Sequence, residues 1–261
     1  MMFKSGVIGA PVGHSLSPRL HAAAFDFLSI EGESTAVEVD GSDEAHLLSL
    51  VRSFDALSVT FPLKEIMFGL CDETDDLARQ IGAVNTIRCI NNRIVGRNVD
   101  GEGFCRAIVG ELDVDVRDAA VTIIGAGGAA RSVIASLLNH GVGNIDVLLR
   151  SNRGQLESFG GDPRVRGVFA SSATADLVIN ATPVSLTGDA SSLPTAAVNG
   201  DTAFIDLSYE PSETPWMTEQ REFSPRVANG LMMLIWQAKL QLDWWLNAEI
   251  PISILREAVS Q

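Results

Sequence analysis

Between Val121 and Leu138 the β-branched run Val121-Thr122-Ile123-Ile124 passes directly into Gly125-Ala126-Gly127-Gly128-Ala129-Ala130. Apolar residues at helical spacing follow, through Ser132-Val133-Ile134-Ala135-Ser136-Leu137-Leu138 to Gly141. An apolar strand that meets a glycine turn and then an amphipathic helix is the grammar of a βαβ unit. The next strand, Ile145-Asp146-Val147-Leu148-Leu149, completes it within about 30 residues. A further apolar strand, Leu177-Val178-Ile179-Asn180-Ala181, predicts a doubly wound parallel sheet around this unit, so the fold class is α/β.

The glycine pattern reads GxGxxA. Gly125 permits the tight turn, Gly127 lets backbone approach a pyrophosphate at the positive helix end, and Ala130 is small enough for close helix packing. The same sequence could form a helix-capping turn that binds nothing, and only the strand before it and the helix after it favour a dinucleotide. The second strand ends Leu149-Arg150-Ser151, with no carboxylate for the ribose hydroxyls of NAD. An arginine there meets the 2′-phosphate of NADP, with Arg150 over the adenine ribose and Arg153 as a second clamp. The alternative is that Arg150 is a solvated loop charge.

Residues 1 to about 100 follow a second α/β pattern without a phosphate loop. Ser5 to Gly9 reads as a strand, Pro18 to Leu28 as a helix with Ser17 as N-cap, Thr35 to Val39 as a strand, Glu44 to Arg52 as a helix, and Ala56 to Thr60 as a strand. Two helical stretches come next. Then Val84 to Ile90 and Ile94 to Arg97 flank Asn91-Asn92, a hairpin signal. From Gly230 the chain is helical past Trp244-Trp245, and a last helix follows Pro251. The apolar breadth of the Gly230 segment predicts burial between the domains or against the first one.

A formal charge of −14 and a pI near 4.6 argue against nucleic acid or an anionic membrane as partner. An anionic ligand must then be held locally, by arginine, backbone amides and helix N-termini. Only Lys4, Lys64 and Lys239 are lysines among 19 basic residues. An ammonium, unlike a guanidinium, exchanges its proton readily, which singles out Lys64 in Ser58-Val59-Thr60-Phe61-Pro62-Leu63-Lys64. A saline habitat would also leave a chain acidic and poor in lysine. Cys71, Cys89 and Cys105 form no CxxC spacing and read as small buried hydrophobes. His14, His21, His46 and His140 show no ligand spacing, so no metal is expected. No run of about 18 apolar residues and no signal-peptide core is present, which predicts a cytoplasmic protein.

Six segments taken in order resemble the signature set of the shikimate dehydrogenase family. They are Gly13-His14-Ser15-Leu16-Ser17-Pro18, Val59-Thr60-Phe61-Pro62-Leu63-Lys64, Gly82-Ala83-Val84-Asn85-Thr86, Gly96-Arg97-Asn98-Val99-Asp100-Gly101, Gly125 to Ala130, and Met233-Leu234-Ile235-Trp236-Gln237-Ala238. The resemblance implies a substrate-binding domain over residues 1–101 completed by helices in 237–261. It also implies a Rossmann NADP-binding domain over 102–236 and an active site in the cleft between the two. The implied reaction is reversible NADPH-dependent reduction of 3-dehydroshikimate to shikimate, within aromatic amino acid (chorismate) biosynthesis. The implied small-molecule enzyme is a monomer or homodimer.

Carried onto this chain, the resemblance makes Lys64 and Asp100 the catalytic pair. Lys64 protonates the alkoxide left by hydride transfer, while Asp100 orients it and holds a neighbouring ring hydroxyl. Ser15 and Ser17 bind the substrate carboxylate, and Thr60, Asn85, Tyr209 and Gln237 meet the ring oxygens. Gly125, Ala126, Gly127, Gly128, Ala129, Arg150, Ser151, Thr182, Leu207 and Gly230 line the cofactor site. There are departures: Ser58 where the family commonly has asparagine, Val99 within a usual Asn-Thr-Asp run, Leu149 in place of an asparagine, and Ser185 in place of a glycine. These keep open a paralogue acting on quinate, an aminoshikimate or another cyclic hydroxy acid. A binding module for NADP and shikimate that has lost the chemistry is the third reading.

Overall fold

Strands that are buried on both faces need near-continuous apolar sequence, and edge strands need alternation. Both patterns appear in the computed structural model, which describes residues 2–149, 156, 159, 161–171, 174–182, 184 and 197–260. The chain divides into two compact units, residues 1–99 with 235–261, and residues 100–234. Asp100 and Gly101 thus fall in the second unit, because they head a helix that packs there.

The first unit is built on strands β1 (Phe3–Gly9), β2 (Gly32–Glu38), β3 (Ala56–Val59), β4 (Glu73–Thr74), β5 (Thr86–Ile90) and β6 (Arg93–Arg97), in the order β2-β1-β3-β5-β6-β4. β1 lies parallel to β2 and β3, and β5 pairs antiparallel with β3 and β6. β3 is buried throughout, whereas the edge strand β2 is nowhere fully buried. The β5–β6 turn uses Asn91 (φ 50°) and Asn92 (φ 63°), two left-handed residues that match the twist of a tight hairpin. Ile8, Leu47, Leu57, Leu63, Met67, Ile87 and Ile94 form the core.

The helices of this unit are α1 (Ser17–Leu28), α2 (Glu44–Val51), α3 (Leu63–Leu70), α4 (Asp76–Ile81), the part of α8 (Leu231–Leu246) from Ile235 onward, and α9 (Ile252–Val259). The sequence expectation for Ser17 as N-cap is corrected. Leu16 is the cap residue, in right-handed conformation and without a side-chain cap bond, and Ser17 is already helical. Ser15 Oγ instead accepts from the Ser17 amide at 3.2 Å, so the hydroxyl two residues upstream satisfies that donor.

In the second unit, α5 (Asp100–Leu112) precedes β7 (Ala120–Ile124), α6 (Gly128–Asn139), β8 (Asn144–Leu148), β9 (Val165–Val168), β10 (Leu177–Asn180), β11 (Ala203–Asp206), α7 (Pro215–Gln220) and β12 (Val227–Ala228). All six strands are parallel, in the order β12-β11-β10-β7-β8-β9. Counted from β7 this is the 3-2-1-4-5-6 order of a doubly wound dinucleotide-binding sheet. Its switch point lies between β7 and β10.

Candidate active site

In an open α/β sheet the carboxyl ends of adjacent parallel strands form the ligand-binding edge. β1 and β3 are such neighbours, with Ile8 opposite Val59. The loop after β1 carries Ser15 and leads into Ser17 at the start of α1, and the turn after β3 carries Thr60 and leads into Lys64 at the start of α3. The two loops are tied together, since the Ala10 amide donates to the Phe61 carbonyl at 2.8 Å and the Thr60 amide to Ile8 at 2.9 Å. Ser15, Thr60 and Lys64 are half-buried, while Ser17 is buried at 6% exposure.

Lys64 occupies the first turn of α3, where its carbonyl accepts from the Val84 amide at 3.0 Å. That bond draws the neighbouring Asn85 toward the same edge. Asn85 is almost wholly buried. Its amide donates to Arg97 and its carbonyl accepts from Val59, while its Oδ1 accepts from the Val99 amide at 2.9 Å. The remaining side-chain group, Nδ2, donates to Gln237 Oε1 on α8 at 3.2 Å. The first unit therefore gathers Thr60, Lys64, Asn85 and Gln237 through bonds within itself, with Ser15 on the adjoining loop and Ser17 at the start of α1.

Three residues to which the sequence reading gave no role, Gln241, His21 and Ser34, connect to Asn85 through a chain of hydrogen bonds. Gln241, one helical turn after Gln237, donates from Nε2 to the Asn85 carbonyl (3.2 Å) and accepts from Ser58 Oγ (2.6 Å). Ser58 Oγ lies 3.3 Å from His21 Nε2, and His21 Nδ1 lies 2.8 Å from Ser34 Oγ. Complete burial lowers the His21 pKa to about 3, keeping the ring neutral. The i, i+4 spacing of Gln237 and Gln241 was the available signal.

The second unit contributes its own carboxyl edge. Gly125 follows β7 with φ 101°, and a Cβ there would sit 2.8 Å from Thr182 Cγ2, so a side chain is excluded on both counts. Gly127 caps α6 without any side-chain bond, and a Cβ at that position would meet nothing within 4 Å. The first turn of α6, with Gly128 and Ala129, thus offers amides beside open space. Ala126 is buried behind them. At the tips of β10 and β11, Asn180 Oδ1 accepts from the amide and hydroxyl of Thr182, and Asn180 Nδ2 donates to Asp206 Oδ2 at 3.2 Å. Asp206 also accepts from the Ser208 amide and the Thr214 hydroxyl. Gly230 presses on this corner, since a Cβ there would lie 2.1 Å from the Leu207 carbonyl oxygen. Thr182, Leu207 and Gly230 therefore share one edge with Gly125, and half-buried Tyr209 follows Ser208.

Asp100 heads α5 and is 1% exposed. Arg150, Ser151, Arg153 and Ser185 lie outside the described residues. Among the described residues no group of three or more His, Cys, Asp or Glu side chains could hold a metal ion, and no helix is long and apolar enough to cross a membrane. Of the thiols only Cys105 is buried. Cys71 and Cys89 are half-buried, a correction to the reading of three core cysteines, although burial still pushes Cys71 and Cys105 up to about 12 and Cys89 to about 11.

Comparison with known proteins matches residues 7–87 to the shikimate dehydrogenase substrate binding domain. A shikimate dehydrogenase (NADP(+)) of Geobacillus sp. (strain WCH70) is 34% identical over 92% of this chain and 91% of its own length. One from Methanopyrus kandleri is 36% identical over 97% and 93%. The crystal structure of shikimate 5-dehydrogenase from Thermus thermophilus in complex with NADP(H) and shikimate superposes with a TM-score of 0.86 at 32% identity, covering 98% of both chains.

Proposed function

Because the chain belongs to the shikimate dehydrogenase family, we propose that it catalyses the reversible NADPH-dependent reduction of 3-dehydroshikimate to shikimate. The assignment is carried by the gathering of Ser15, Ser17, Thr60, Lys64, Asn85 and Gln237 at the carboxyl edge of β1 and β3. Such a set of hydroxyls, amides and one ammonium suits a ligand with a carboxylate and ring oxygens.

The residues at the β7 edge fit a dinucleotide. Gly125 and Gly127 leave backbone room, and the α6 amides lack a side-chain cap, as a pyrophosphate seat requires. Ala126, Gly128 and Ala129 complete that seat, with Thr182, Leu207 and Gly230 on the nicotinamide side and Arg150 and Ser151 toward the 2′-phosphate. NADPH, when bound, supplies the hydride.

Lys64 Nζ stabilises the negative charge that develops on the carbonyl oxygen and gives that oxygen its proton. In the oxidative direction the neutral amine takes the proton back. Asp100 accepts from the ring hydroxyl adjacent to that carbonyl. Ser15 and Ser17 donate to the carboxylate. Thr60, Asn85, Tyr209 and Gln237 orient the ring, so that reduction occurs at one carbon. We place the protein in the cytoplasm, as a monomer or homodimer.

A panel of shikimate, quinate and an aminoshikimate, each offered with NADP and with NAD, tests this. Rapid oxidation of shikimate with NADP is expected. Negligible shikimate turnover beside rapid oxidation of another acid would identify a paralogue, and ligand binding without any turnover would leave a binding module.

A further inference from the structure

We propose that Gln241 is a positioning residue for the substrate site, locked in one orientation by a buried hydrogen-bond chain that runs from Ser34 through His21 and Ser58. The proposal rests on the reading of Asn85 and Gln237 as substrate-binding residues, and deepens it.

The direction of every bond in the chain follows from one fixed point. The Asn85 carbonyl can only accept, so the Gln241 group 3.2 Å from it is the NH₂ and the group facing Ser58 is Oε1. Ser58 must then spend its single hydroxyl proton on Oε1, at 2.6 Å. Its oxygen is left to accept from His21, so the proton of this neutral imidazole sits on Nε2. Nδ1 becomes the acceptor, and Ser34 Oγ, at 2.8 Å, donates to it. Ser5, the other hydroxyl near Nδ1, has the Glu33 carbonyl for its own proton at 3.3 Å. Trp245 closes the remaining side of the ring, edge to face at 4.9 Å, and its indole N–H is committed to Thr86 Oγ1. Protonation of His21 would put a second donor opposite Ser34, among hydroxyls and an indole, and burial prevents it.

The chain ends at the Asn85 carbonyl, which also accepts from the Val59 amide. Asn85 Nδ2 in turn meets Gln237 Oε1, one turn earlier on the same helix as Gln241. Two amides of α8 thus grip Asn85 at two points, its carbonyl and its side chain, and fix the angle at which both presented amides meet a ring hydroxyl. Ser58 is consumed by this chain, which is why a residue in the site-forming segment does not itself serve the ligand.

Gln241→Leu keeps the bulk and removes both bonds. The expected result is a rise of about 10-fold or more in KM for the acid that the wild type oxidises fastest, on the scale of one lost buried hydrogen bond, with kcat and the KM for NADP within about twofold. Ser58→Ala should act in the same direction, and the double variant should cost little more than Gln241→Leu alone, because both break one chain. An unchanged KM for the acid, independent effects, or a parallel loss in kcat and both KM values would overturn the proposal. Should Gln241→Leu not fold, the similarly sized Gln241→Met takes its place. Nitrogen-15 NMR of the wild type is an independent test: His21 should be neutral with its proton on Nε2, and a proton on Nδ1 overturns the chain. Wild type that oxidises no hydroxy acid would defeat the functional reading, whereas wild type that does so beside an indifferent Gln241 variant defeats only this inference.

Discussion

The amide of Gly101 donates to Ser132 Oγ at 2.8 Å, and a methyl group on the same glycine would stand 2.1 Å from the Ser132 carbonyl oxygen. The start of α5 is therefore seated on the backbone of α6 with no room for a side chain. Gly101→Ala should cost about 3 kcal/mol of stability or more, because the obstacle is backbone and cannot rotate away. Urea denaturation measures this, and a loss below about 0.5 kcal/mol would show that the two helices separate freely.

Lys64→Ala should lower kcat by about 10² to 10⁴ while leaving the unfolding midpoint near that of wild type. Lys64→Arg should not restore it, since a guanidinium retains its proton. Steady-state kinetics decides, and turnover within a few-fold of wild type would remove Lys64 from the mechanism.

Asp206 accepts from Asn180 Nδ2, Thr214 Oγ1 and the Ser208 amide while wholly buried. Asp206→Ala leaves three donors without an acceptor and should destabilise by about 3 kcal/mol or more. Asp206→Asn, which keeps one acceptor oxygen, should lose less. Equal losses in thermal unfolding would mean that packing, not hydrogen bonding, holds this corner.

His21 has a folded pKa depressed from 6.5 to about 3. Above pH 6.5 the ring is neutral whether folded or unfolded, and no proton uptake favours unfolding. As pH falls from 6.5 toward 3, the unfolded chain binds a proton that the native state refuses, so stability is lost at about 1.4 kcal/mol per pH unit from this group. His21→Gln should flatten that part of the curve. Urea titrations at several pH values below 6.5 test it, and parallel slopes for the two proteins would refute it.

Much of this was readable in advance because local chemistry and tertiary role agreed. The run Val121 to Ile124 is apolar because β7 is central, and Asn91-Asn92 marks a hairpin because both residues tolerate positive φ. Edge elements gave no such agreement. β9, Val-Arg-Gly-Val, is only partly buried, and β12 has two residues, so neither carries a strand pattern. Ser17 looked like a helix cap because serine usually is one, yet the helix starts a residue earlier. His21 and Gln241 were harder to read for another reason: beyond the i, i+4 spacing of Gln241 from Gln237, their roles depend on partners 13 to 183 positions away in the chain, which no local pattern encodes.

Arg150→Ala should reduce kcat/KM for NADP by about 10-fold or more and leave that for NAD little changed, since the lost bonds are charge-assisted ones to a single phosphate. Kinetics with both cofactors tests it. An equal decrease for the two would assign Arg150 to the protein rather than to the ligand.

The first unit is assembled from residues 1–99 and 235–261, and α9 packs on α1, where Arg19 reaches the Ala258 carbonyl. On the ribosome, the intervening 100–234 segment holds every strand of its own sheet and can mature while the earlier half waits. The amino-terminal half, although translated first, must remain unfinished until its last two helices emerge, so the order of synthesis and the order of completion are reversed.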